Sequence, residues 1–360
     1  MPRTPEPTAP HSDRPTIAVT LGDPGGIGPE ITLRALANRR SRWPNARFIV
    51  LGSSAAVRAA SEVTGLEPDW MRLPRGAELS SDDDHGVILV DSDLDLRDRG
   101  LEPVFERRAT KLGGELSFRW VEDAIALAKL PQTHPLHAHG IVTAPISKHA
   151  WHLGGKTRFP GHTELFADRF KVKRYAMMFN GPRLRVSLAT IHVPLNDVRN
   201  HLTIGAVHTA IDLGAQGCQR LGVERPRVAV CGLNPHAGEA GLLGDDEERL
   251  IEPAINLAVE TGLDVRGPFP ADTVFNRALE GEFDLVVAMY HDQGLIPVKL
   301  LARDESINVT VGLPTIRTSP DHGTAFDIAG KGKASAASMT EAVAGAVKML
   351  TPTESTANAS

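Results

Sequence analysis

Apolar and β-branched residues recur along the chain in short, nearly continuous runs. They are Ile17 to Thr20, Phe48 to Leu51, Val87 to Val90, Ile141 to Thr143, Val186 to Thr190, Val228 to Val230, Leu285 to Met289 and Ile307 to Val311. A strand with one face in water would alternate apolar and polar residues, so continuous runs suit strands covered on both faces. Between several of them the apolar spacing changes to helical. Leu116, Trp120, Val121, Ala124, Ile125 and Ala128 predict a helix over Leu116 to Lys129, and a second helix is expected from Thr163 to Arg169. Asp245 and Asp246 stand where they would cap a helix carrying Leu250, Ile251, Ile255 and Ala258, which Gly262 would stop. Strands alternating with helices predict an α/β chain with a largely parallel or mixed sheet, and 360 residues are enough for about two domains at ~150 residues each. Met1 to Pro15 and Thr351 to Ser360 are rich in Pro, Ser, Thr and Ala without periodicity and read as tails.

Polar residues set among Gly and Pro follow most of these runs. Gly22-Asp23-Pro24 comes after Thr20, Ala144 to Lys148 after Thr143, His192 after Thr190, Asn234-Pro235-His236 after Leu233, His291-Asp292-Gln293 after Tyr290, and Thr315 to Thr318 after Leu313. Ligands of open α/β sheets bind beyond the carboxyl ends of the strands, so these loops are the place to look for chemistry.

Charge and composition narrow the function. Lys+Arg 39 against Asp+Glu 44 gives a net charge of −5, and no run of five basic residues occurs. That excludes a broad nucleic-acid footprint while leaving room for a phosphate site of a few residues. No apolar run reaches 18 residues and the amino terminus is polar, so no membrane partner is expected and a cytoplasmic location is. Two cysteines, Cys218 and Cys231, agree with a reducing compartment. Fourteen histidines against two tyrosines direct attention to imidazole chemistry.

Four constellations carry candidate chemistry, each with a plainer alternative. Gly22-Asp23-Pro24-Gly25-Gly26-Ile27-Gly28-Pro29-Glu30 is neither a dinucleotide fingerprint nor a P-loop, and reads as a tight turn or an anion loop at a helix start. His192, His236 and His291 each lie past a β-run and would suit a divalent ion if they met. Separately they would be ordinary hydrogen-bonding residues, as His208 within a probable helix is expected to be. His162 and Thr163 in Arg158 to Glu164 stand at a helix start and suit a phosphate or carboxylate, unless Thr163 is simply the cap. Lys299, Asn308 and Arg317 are nine residues apart and could bracket an anion, or be surface groups.

Taken together, the strings GDPGGIGPE, TAPISKHA, FPGHTE, LNPHAGE, PADT, MYHDQGL and GLPTIRTSPDHGTAFDIAGKG resemble the 4-hydroxythreonine-4-phosphate dehydrogenase (PdxA) family of pyridoxal phosphate biosynthesis, from about Ile17 to Leu350. The resemblance implies an NAD-dependent (or NADP-dependent), metal-dependent oxidation of 4-phosphooxy-L-threonine at its 3-hydroxyl. The β-keto acid formed loses CO₂ to give 3-amino-2-oxopropyl phosphate. It implies His192, His236 and His291 as metal ligands, with Zn²⁺ favoured over Mg²⁺, Mn²⁺ or Co²⁺ because the donors are imidazoles. Substrate contacts fall on His162, Thr163, Lys299, Asn308 and Arg317, with Asp272 nearby, and catalytic roles on Lys299 and Asp292. The stretch His322, Gly323, Thr324 and Asp327 resembles a nucleotide loop.

The implied fold is the two-domain α/β architecture of the isopropylmalate and isocitrate dehydrogenases, with the active site in a cleft at a homodimer interface and a metal site drawing on both chains. The expected division is 16–140 plus 293–350 for the nucleotide-associated domain and 141–292 for the metal- and dimer-associated one. Dehydrogenases of sugar-acid 4-phosphates such as threonate or erythronate, and of aromatic dihydrodiols, present the same histidines. Leu184-Arg185-Val186 and Pro194-Leu195 resemble the biosynthetic branch more. A non-catalytic metal or phosphoester-binding protein is the reading from another class.

Overall fold

Strands and helices alternate along nearly the whole chain in the computed structural model, which describes residues 14–79, 85–302 and 304–351. The expected tails lie outside the described residues except for Arg14, Pro15 and Thr351. The described residues form two compact units, 14–171 with 314–351, and 172–313. Each is an α/β unit, as the alternation predicts.

The first unit contains β1 (Thr16–Thr20), β2 (Arg47–Gly52), β3 (Met71–Pro74), β4 (Val87–Asp91), β5 (Gly140–Thr143) and β12 (Ile316–Pro320), in the order β3-β4-β2-β1-β5-β12 with every pair parallel. The second contains β6 (Ala176–Asn180), β7 (Arg185–Leu188), β8 (Arg227–Cys231), β9 (Asp264–Phe269), β10 (Leu285–Ala288) and β11 (Ile307–Val311), in the order β11-β6-β7-β10-β8-β9. There β11, β6 and β7 pair antiparallel, while β7, β10, β8 and β9 run parallel. All eight runs read from the sequence are strands. The four that escaped have physical reasons: β3 and β9 are partly exposed edges, and β12 carries Arg-Thr-Ser where a loop was expected over Thr315 to Thr318. β6, Ala-Met-Met-Phe-Asn, has no β-branched residue and follows the charged stretch Lys171 to Arg174.

The unit boundaries differ from the expected ones. β5 lies between β1 and β12, and Gly114 of the helix Lys111–Ala128 lets the helix Lys148–Leu153 approach so closely that a Cβ there would stand 1.8 Å from the Ala150 carbonyl oxygen. These contacts keep 141–171 with the first unit. The helix His291–Ala302 packs on β7 and β10, and β11 pairs with β6, which keeps 293–313 with the second.

In the second unit Val186, Leu188, Ala229, Val286, Val274, Phe275, Leu295 and Val298 form one core. On the helix Ile204–Arg220, Gly214 and Gly217 admit the side chains of Leu285 and Met178, where a Cβ would come within 2.7 Å and 2.6 Å of them. Close-packed cores of this kind hold strand ends in fixed relative positions, which a site built on strand ends requires.

Candidate active site

Three adjacent parallel strands of the second unit, β7, β10 and β8, end on the same side of their sheet, and one histidine follows each: His192, His291 and His236. The ends are tied together. Thr190 donates from its hydroxyl to the Met289 carbonyl (2.7 Å), while Gln293 accepts from the Met289 N–H (2.6 Å) and donates to the Gly232 carbonyl (2.8 Å). The rings of His192 and His291 lie with centroids 5.8 Å apart.

His291 Nδ1 is 2.7 Å from Asp292 Oδ1 and His236 Nδ1 is 3.3 Å from Glu239 Oε2. A carboxylate at Nδ1 fixes the tautomer with its lone pair on Nε2, the arrangement a metal-ligating imidazole needs. Two imidazoles bound at about 2.0–2.1 Å to one ion hold their centroids roughly 5–6.5 Å apart, which the His192–His291 pair meets. His236 does not join them: among the described residues no group of three or more His, Cys, Asp or Glu is placed to hold an ion. The donor chemistry and the pair spacing therefore fit a divalent ion, with His236 brought to the same sheet edge and no closer. His208 lies within the helix Ile204–Arg220, as expected.

In the first unit a second cluster surrounds Arg317. This β12 residue is 2 % exposed, donates to the Thr143 hydroxyl (2.7 Å) and lies 5.7 Å from the Phe166 ring centre. It is no surface charge. Burial pushes its guanidinium down to about 10, against the opposing influence of Glu164. His162 begins the helix His162–Phe170 and packs edge-on against Trp151 at 5.6 Å. Its Nε2 is buried with no hydrogen-bond partner. Burial, reinforced by the cations of Arg317 and Lys148, holds this imidazole well below its usual pKa and so neutral. Thr163 is buried and is not the cap; that place is taken by Gly161, without a side-chain bond. A buried cation beside a neutral imidazole at the start of a nine-residue helix is the chemistry that an anion site requires.

Lys299 and Asn308 lie in the second unit, Lys299 exposed on the helix His291–Ala302 and Asn308 on β11 with its Oδ1 buried and unpartnered. Asp292 and Lys299 are seven residues apart on that helix, hence on one face about two turns apart. Asp272 is exposed in the first turn of the helix Ala271–Leu279. Of the nucleotide-like stretch, His322, Gly323 and Asp327 are exposed, while the Thr324 carbonyl accepts the Ile27 N–H (2.9 Å). The Gly22–Gly28 loop is a tight turn: the amides of Asp23, Gly25, Gly26 and Ile27 are bonded to Pro145, Asp23 and Thr324, and its glycines meet neighbouring backbone. Burial pushes the Asp23 carboxyl up to about 6, against the Gly25 N–H. Thr143 and Lys148 lie in TAPISKHA and Phe166 in the expected helix Thr163 to Arg169 without a signal of their own, because only the β5–β12 pairing brings Thr143 to Arg317.

Because the unfolded chain protonates His162 below its ordinary value of 6.5 and the folded chain does not, folding loses stability as pH falls below 6.5, with a slope of up to about 1.4 kcal/mol per pH unit. Urea unfolding of the protein and of His162→Gln at pH 7.5 and 5.5 should show a smaller acid loss in the variant. Equal losses would mean that His162 is protonated in the folded state.

Comparison with known proteins gives the same family. The pyridoxal phosphate biosynthetic protein PdxA family matches residues 45–346. A 4-hydroxythreonine-4-phosphate dehydrogenase of Desulfosudis oleivorans is 44% identical over 92% of this chain and 94% of its own, and a D-threonate 4-phosphate dehydrogenase of Cupriavidus necator is 43% identical over 94% and 98%. The crystal structure of the 4-hydroxythreonine-4-phosphate dehydrogenase of Klebsiella pneumoniae superposes with a TM-score of 0.77 at 39% identity, covering 94% of this chain and 100% of that one. With a family match that spans most of its length and dehydrogenases aligned end to end, this chain belongs to the PdxA family and is an oxidoreductase.

Proposed function

We propose that the protein oxidises 4-phosphooxy-L-threonine at its 3-hydroxyl with NAD and a divalent ion, and that the product loses CO₂ to give 3-amino-2-oxopropyl phosphate. The observation that carries this reading is the placement of His192, His291 and His236 at the ends of three adjacent parallel strands, with carboxylates at two of the three Nδ1 atoms. His192, His236 and His291 would hold the ion, Zn²⁺ by donor type. When bound, the ion and the nicotinamide supply Lewis acidity at the hydroxyl and a hydride acceptor.

The chain's own residues do the rest. Arg317 binds an anionic group of the substrate with its buried guanidinium, while His162 donates from Nε2 and Thr143 holds the guanidinium in place. Thr163, Lys299 and Asn308 complete the substrate contacts. Asp292 orients His291, and with Lys299 on the same helix face supplies proton transfer. His322, Gly323, Thr324 and Asp327 bind the cofactor, which the family resemblance gives as NAD or NADP. Remote anion binding positions the reacting carbon, so its loss should appear in kcat/KM. D-threonate 4-phosphate is the second reading, supported by the near-equal identity to the Cupriavidus necator enzyme.

A homodimer is part of the proposal, with a metal site shared between chains. Ile296 and Leu300, 58% and 82% exposed one turn apart on the helix that begins at His291, offer it an apolar face.

NADH formation should be faster with 4-phosphooxy-L-threonine than with D-threonate 4-phosphate, stop on chelation and return with Zn²⁺, Mg²⁺, Mn²⁺ or Co²⁺. Arg317→Lys should lower kcat/KM by about 1.5–3 kcal/mol while leaving NAD affinity unchanged. Faster turnover of the threonate would select the second reading, and no turnover of either would reject both.

The dimer is tested by exchanging subunits among His192→Ala, His236→Ala and His291→Ala proteins. If one ligand comes from the partner, two of the three pairwise mixtures regain activity, because their heterodimers contain one intact site. No regain in verified heterodimers would place all three ligands in one chain.

A further inference from the structure

We propose that Glu247, with Asp246 beside it, is a positioning residue for the metal-binding imidazole of His236: its buried carboxylate holds the turn that presents His236, and Asp246 ties that turn to the segment leading out of His192. The inference rests on the metal-ligand reading given above.

The turn is not one the chain would adopt unaided. Six consecutive residues are left-handed: His236 (φ 54°), Ala237 (53°), Gly238 (82°), Glu239 (46°), Ala240 (53°) and Gly241 (90°). Four of them carry a Cβ, which in that region crowds the following carbonyl oxygen. Such strain persists only where surrounding bonds over-determine it.

Glu247, 4 % exposed, supplies those bonds. One carboxylate oxygen accepts the backbone N–H groups of Leu233 and Asn234, both at 2.8 Å, and the other accepts from Asn234 Nδ2 at 2.9 Å. The turn wraps over that second oxygen so tightly that a Cβ on Gly238 would stand 2.7 Å from it. Asp246, 3 % exposed, takes the other Asn234 amide proton at 3.1 Å. Its remaining oxygen accepts from Arg199 Nε at 3.0 Å and Arg249 Nη2 at 2.8 Å. Arg199 lies on the helix Val198–His201, which follows His192 through the short turn Leu195–Asp197.

Glu247 therefore fixes the segment after β8, and Asp246 joins it to the segment after β7. Asp246 was expected to be a helix cap, but it makes no cap bond; its carboxylate is used here instead. Glu247 opens a π-helical stretch, Glu247–Ile251, before the helix Glu252–Glu260, a local irregularity often found where a side chain must be re-aimed at a functional site.

A carboxylate that only capped a loop would affect stability and nothing else, so the test separates the two roles. Zinc is titrated calorimetrically into dialysed full-length wild type, His236→Ala, Glu247→Gln, Glu247→Ala and Asp284→Asn. Asp284 is a comparable capping carboxylate, bonded to the Arg227 N–H and guanidinium and remote in sequence from the turn. Amide exchange over residues 233–240 is followed in the metal-free proteins. Zinc affinity should fall about 10- to 100-fold in Glu247→Ala, less in Glu247→Gln, and not in Asp284→Asn, with exchange at 233–240 faster only in the Glu247 variants. Should the Ala variant fail to fold, the Gln variant carries the same comparison. Zinc affinity in the folded Glu247 variants equal to that of Asp284→Asn, while His236→Ala loses the ion, overturns the positioning role alone. Unchanged zinc binding in His236→Ala overturns the metal reading and this proposal together.

Discussion

The chemistry of the second unit depends on three parallel strands, β7, β10 and β8, ending side by side. Parallel neighbours place their carboxyl ends on one edge at a spacing of about 4.8 Å, so residues that follow them are neighbours however far apart they are in sequence. His192 and His291, 99 residues apart by number, have rings 5.8 Å apart for this reason. The Thr190, Met289, Gln293 and Gly232 bonds turn that adjacency into a fixed distance, and the Glu247 and Asp246 carboxylates do the same for the turn at His236.

The cluster around Arg317 follows a different logic. A guanidinium kept 2 % exposed loses its hydration, and that burial pushes its pKa down to about 10. His162 beside it is held neutral by burial and by the Arg317 and Lys148 cations. A phosphate or carboxylate bound there, as proposed above, would replace the hydration that the guanidinium has lost, so that its binding energy could be used in orientation.

Much of this was legible in the sequence because continuous apolar runs report doubly covered strands and the residues after them report their carboxyl ends. What the sequence hid was mostly pairing. Arg317 and Thr143 meet because β12 lies beside β5, and nothing local to either residue says so. β12 itself was obscured by Arg-Thr-Ser, polar residues that are nonetheless buried, Arg317 bonded to the Thr143 hydroxyl and Thr318 to the Ala342 carbonyl. Composition could not decide whether the Gly22–Gly28 loop was a turn or an anion site; the answer lies in four amides bonded to Pro145, Asp23 and Thr324. Likewise Glu247 looks like one more acidic residue in Asp-Asp-Glu-Glu until its oxygens are found on the backbone before His236.

Both substrate readings, with an amino or a hydroxyl group on the second carbon, require the same three histidines at one ion. Anomalous diffraction at the zinc edge from crystals grown with Zn²⁺ tests them most directly. The account predicts one strong peak at about 2.0–2.1 Å from an Nε2 of each of His192, His236 and His291, whichever chains supply them. A peak held by carboxylates alone, or one that leaves any of the three imidazoles uncoordinated, would contradict it.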